Sequence, residues 1–177
     1  MSVSSVNRGN VSAKTNPRLF YSSRDDGLAF NAISIGDNDY AIGEYCMYLK
    51  NTSTTRNLFI KHIEFHSVDA SRFKVFEVTG TAAAATAIIP SNLNLGSGIT
   101  AEATSMGGGA AITGLTAVKL IGTHRTTALG ESEMDYADAL ILGPGDAIAV
   151  ELDAEYGGIT GIVELDIFFH YENIGAS

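Results

Sequence analysis

The side chains best suited to chemistry lie within one short stretch: His62, Glu64 and His66. Imidazole and carboxylate are usual zinc ligands, and alternate residues of a β-strand project to the same face. These three could therefore converge on a metal ion. No further well-placed ligand on a neighbouring strand can be identified from the sequence. The expected reading is thus a polar stripe facing solvent or a partner, with no metal and no other cofactor. Asp37, Asn38 and Asp39 start like a calcium loop, but Tyr48 stands where the bidentate acid should be. A turn built on Asx side chains accounts for that triplet. Glu131, Glu133 and Asp135 form an acidic cluster that could offer paired carboxylates to a glycoside. Read as part of a loop in an acidic protein, they are solvated charges.

Other signals are weaker. Gly96-x-Gly98-x-x-Ala101 echoes a dinucleotide fingerprint but neither follows a clear strand nor opens a helix, so it is set aside. Cys46 lies within an expected strand and reads as a small buried hydrophobe rather than a nucleophile. Nothing has the form of a nucleophile elbow. The expectation is a protein without catalytic residues.

The elements that carry these residues have two-fold periodicity, the signature of strands. In Tyr40–Asn51, Ala41, Gly43, Tyr45, Met47 and Leu49 form one face. In Leu58–Ser67, Phe59, Ile63 and Phe65 point one way and His62, Glu64 and His66 the other. Phe73–Val78 is a further run, and Ala117–Ile121 opens the last third. Tyr136–Leu142 leads into Gly143-Pro144-Gly145-Asp146, where Pro presets φ at turn position i+1 and Gly permits positive φ at i+2. Ala147–Asp153 places Ile148, Val150 and Leu152 on one face. Gly157-Gly158 makes the next reversal. Ile159–Glu172 then alternates Val163, Leu165, Ile167, Phe169 and Tyr171 inward with Glu164, Asp166, His170 and Glu172 outward. A slip of one residue would bury those charges, so the register is strongly specified. About eight strands fit between residues 27 and 173. An all-β antiparallel two-sheet sandwich of jelly-roll type is expected over residues 20–177, behind an extended N-terminal arm at residues 1–19.

The segment Thr79–Gly114 departs from this pattern. Glu102 is its only ionisable side chain, and it is rich in Ala, Gly and Thr. It is expected to hold a hairpin or short helix, or to pack against another subunit, because small uncharged residues allow close approach at little desolvation cost.

The chain has 177 residues, enough for one domain with a substantial core. Charged residues are only 18% and the net charge is −9. Arg8, Lys14 and Arg18 make the arm basic, whereas the body sets eight bases against all twenty acids. An acidic body argues against nucleic-acid binding. A lone cysteine excludes an internal disulfide, and the N-terminal residues lack the apolar core of a signal peptide. No apolar run is long enough to suggest a membrane partner.

The Ser/Asn-rich arm, the uncharged middle and the closing run Ala139 to Asp153 with its Leu-Gly-Pro-Gly-Asp turn together resemble the small jelly-roll structural proteins of tailed bacteriophages, including capsid decoration (cement) proteins. The resemblance covers residues 28–173 in style. It implies a virion protein made in the host cytoplasm, a homotrimer, and binding to the major capsid protein or other virion subunits on the capsid exterior. Residues Arg8, Lys14 and Arg18 of the arm and Ala82, Ala85, Gly107 and Gly108 of the uncharged segment are the expected contact residues. Three other readings remain open: a tail, neck or fibre module that binds a receptor, a jelly-roll carbohydrate-binding or cupin-like enzyme domain, and a major capsid subunit of a small virus. The cupin metal motif needs His-x-His followed by Glu, which the four-residue separation of His62 and His66 does not supply.

Overall fold

The protein is described by a computed structural model over residues 26–37, 40–153 and 162–174. Arg8, Lys14, Arg18, Asn38, Asp39 and the Gly157-Gly158 reversal lie outside the described residues. The strands in chain order are β1 (Ala29–Asp37), β2 (Tyr45–Asn51), β3 (Arg56–Ser67), β4 (Ser71–Ala83), β5 (Thr86–Ile88), β6 (Ser91–Asn92), β7 (Ala103–Thr126), β8 (Gly130–Leu142), β9 (Ala147–Leu152) and β10 (Ile162–Asn173). There is no α-helix among the described residues. The first sheet has the order β6-β1-β10-β3-β8 and the second β2-β9-β4-β7-β5. Every pairing is antiparallel. Without the short β5 and β6, the two sheets read 1-10-3-8 and 2-9-4-7, the interleaved Greek-key order of a jelly roll.

One core lies between the sheets. Phe30, Phe65 and Phe169 from the first sheet meet Met47, Phe73, Ile148 and Leu152 from the second, all fully buried. Phe65 and Phe73 join the sheets with ring centroids 5.3 Å apart. The inward half of the alternation expected in β9 and β10 holds: Ile148, Val150 and Leu152, and Val163 through Tyr171 at odd positions, all enter this core, whereas His170, expected to face out, is fully buried beside Phe59. The turn between β8 and β9 is also as expected. Gly145 has φ +89° and the Asp146 amide donates to the Gly143 carbonyl at 3.1 Å. Buried Asp153, after β9, is held by the Arg72 guanidinium and by Lys74 Nζ at 2.7 Å.

Two β-bulges correct the expected faces. Cys46 is an extra residue in β2, so Met47 points into the core while Tyr45 joins Tyr48 on the opposite side. Lys61 is extra in β3 relative to β10. Leu58 and Ile60 therefore enter the core before the bulge, Ile63 and Phe65 after it, and Phe59 instead stacks on His170 at 5.3 Å. A bulged residue reverses the in–out pattern beyond it.

The uncharged segment is mostly strand. β7 serves twice: Ala103–Ile112 pairs with β2, and Thr113–Thr126 pairs with β4. Gly108 and Gly109, with φ of +59° and +84°, let the chain turn within that strand. The last residues of β4 and the middle of β7 pack on the outward face of the second sheet. There Val78, Ile112, Ala82, Ala85 and Leu115 pack with Tyr48, Ala147 and Ala149 in a second, smaller core.

Candidate functional site: an acidic face and an open edge

The outer face of the first sheet is built by register. β1, β10, β3 and β8 bring their outward residues into transverse rows. The first row reads Ile35–Glu164–His66–Glu131, the second Ile33–Asp166–Glu64–Glu133, the third Asn31–Phe168–His62–Asp135. No Lys or Arg occupies these rows. Three carboxylates, from Asp166, Glu64 and Glu133, thus stand side by side on three adjacent strands. Like charges directly opposite one another oppose sheet formation. Burial and then the charges of Glu164, Glu64 and Glu131 push the Asp166 carboxyl up to about 6, against an opposing hydrogen bond from Asn31. A shallow depression of about 250 Å³ opens among Glu64, His66, Glu131, Glu164 and Asp166.

The structure brings His62 and Glu64 together with Glu133, a neighbour that the sequence did not reveal. One donor atom from each lies within 4.8 Å of the others. His62 Nε2 is 3.2 Å from Glu64 Oε1, and the imidazole packs on the Phe168 ring with centroids 4.4 Å apart. His66 sits one row away beside Glu131. The acids expected in a loop are in strand β8 instead, which is why Glu133 faces Glu64. Asp135 is otherwise engaged: its Oδ1 accepts from the Ala137 amide at 2.7 Å and from Lys61 Nζ at 3.3 Å, which holds that carboxyl below its usual range.

The second feature is an edge. Among the described residues, β8 pairs only with β3, and the second half of β7 only with β4. The sandwich is incompletely closed where these strands lie. Met134, Tyr136, Leu140 and Ile121 touch the core but are only partly buried. Val118, Leu120 and Ile141 nearby are 56%, 48% and 47% exposed. A cleft between β7 and β8 is lined by Leu120, Ile121, Leu140, Ile141, Lys119 and Glu77.

The expected contact residues are placed as follows. Ala82 and Ala85 pack in the second core, and Gly107 and Gly108 lie against β1 of the same chain. Cys46 is buried, its thiol donates to the Val150 carbonyl at 3.4 Å, and burial pushes it up to about 12, far from a nucleophile's range. Gly96 and Gly98 lie in a turn region that opens no helix. No protein-family model matches this chain, and no curated protein matches it.

Proposed function

We propose that this chain is a non-enzymatic structural subunit of a virion, a capsid decoration protein that associates with copies of itself and with the particle exterior. The observation that supports this best is the open β7–β8 edge. A long unpaired edge strand with exposed apolar neighbours invites pairing, and a protein that leaves it bare risks aggregation. A subunit that seats the edge against a neighbour has no such liability. The occupant is a second copy of the chain. β8 carries Glu131, Glu133, Asp135 and Asp138, whereas the second half of β7 carries Lys119 and Arg125 and no acid. One copy's β8 is thus complementary in charge to another's β7. Many copies on one particle bind multivalently, so weak individual contacts suffice.

Light scattering on a sizing column tests the reading. A concentration-independent oligomer of the 18.6 kDa chain, three copies by the phage resemblance, is the expected result. The double variant Val118→Glu, Ile141→Glu should shift it to monomer without loss of strand signal in circular dichroism. A wild-type chain that runs as a monomer at every concentration would sink the proposal. An oligomer retained by the variant would remove the edge from it.

A further inference from the structure

We infer that His62, Glu64 and Glu133 form a binding site for a divalent transition-metal ion of the zinc type. This does not rest on the particle reading. The donor set is mixed, one imidazole nitrogen and two carboxylates, and its atoms already lie within 4.8 Å of one another. Zinc holds such donors at about 2.0–2.2 Å, which puts neighbouring donors roughly 3.5 Å apart. Small side-chain rotations close that difference.

The three donors stand on two paired strands. His62 and Glu64 alternate on β3, and Glu133 is directly opposite Glu64 in the hydrogen-bonded β8. Sites on strands hold ligand geometry better than sites on loops. The Phe168 ring supports the imidazole from the β10 side. His62 Nε2 is shielded from water and forms no hydrogen bond, although it lies close to Glu64. Its one close polar contact, Glu64 Oε1 at 3.2 Å, is poorly aligned for a hydrogen bond, and a cation seated between this nitrogen and the carboxylates would replace that contact.

Charge points the same way. The row Asp166–Glu64–Glu133 sets three acids side by side without a basic residue in the row. The nearby Lys61 ammonium is bound to Asp135. A dication seated between Glu64 and Glu133 would offset that repulsion, with Asp166 adding negative potential from the far side of Glu64. The imidazole selects the metal: nitrogen donors suit zinc and its transition neighbours, whereas calcium and magnesium prefer an all-oxygen set.

The test is calorimetric titration of the full chain, stripped with a chelator and dialysed, with Zn²⁺ at pH 7.5. One ion per chain is expected, with affinity unchanged by millimolar Ca²⁺. His62→Ala and Glu133→Gln should each weaken binding at least about tenfold, while His66→Ala, one row away, leaves it unchanged. Thermal melts in chelator establish that the variants fold. Absence of zinc binding, binding indifferent to His62→Ala and Glu133→Gln, or displacement of zinc by Ca²⁺ would each overturn the assignment.

Discussion

Asp166 is the residue whose surroundings most clearly oppose its charge. Its carboxyl is pushed up to about 6 from an ordinary value of 3.8, by burial first and then by Glu164, Glu64 and Glu131. The folded protein therefore holds a proton that the unfolded chain releases between about pH 4 and 6. That stabilisation is full below the unfolded value and is lost as the pH rises through about 6. With chelator present, the melting temperature should rise as the pH falls from 7.5 to 5.5. Asp166→Asn should raise it at pH 7.5 and flatten the slope. An unchanged slope in the variant would place the effect elsewhere on the face. At this scale the sequence was partly legible. His62 and Glu64 are visible as a pair because i and i+2 share a strand face. Glu133 is not, because it is some seventy residues away and becomes a neighbour only through strand order, which no local pattern encodes.

Among the elements, β7 has the most unusual task, since one strand flanks both β2 and β4 and also approaches β1. Gly107 makes that approach possible. A Cβ there would stand 2.2 Å from Ser34 Oγ and 2.7 Å from Ser34 Cβ. Gly108 combines positive φ with a Cβ position 2.9 Å from the Ile35 carbonyl oxygen. Gly107→Val should destabilise the protein by about 1–3 kcal/mol, the usual range for overpacking a tight site. Chemical denaturation measures it, and a loss under about 0.5 kcal/mol, the ordinary surface range, would show that β1 yields easily. The alternation of β9 and β10 was readable because large apolar residues recur at every second position, separated by small or charged residues in β9 and by mostly polar ones in β10. β4 and β7 were harder, because Ala, Gly and Thr fit either face and mask the period. The bulges at Cys46 and Lys61 were hidden for another reason: an inserted residue carries no type-specific signal, and it shows only when the partner strand is known.

On the scale of the whole molecule, the fold combines a closed side and an open one. The second sheet is covered twice, by the main core within and by the small core of Tyr48, Ala147, Ala149 and their neighbours without. The first sheet carries acidic rows on its outer face, and the sandwich stays open at β7 and β8. The first and last of its long strands, β1 and β10, pair side by side in the middle of the first sheet, with Ala29 opposite His170 and Asp37 opposite Ile162. That pairing fixes how the molecule bears a load. Tension applied through Ala29 and His170 falls on a single rung, then on the next, so the strands part like a zipper. Tension applied through Ala29 and Ile162, at opposite ends of the same pair, must shear all the rungs together. Optical-trap pulling through cysteine handles at those two pairs of sites should find a markedly lower rupture force for the first. The folded chain is thus strong or weak according to the direction in which it is strained.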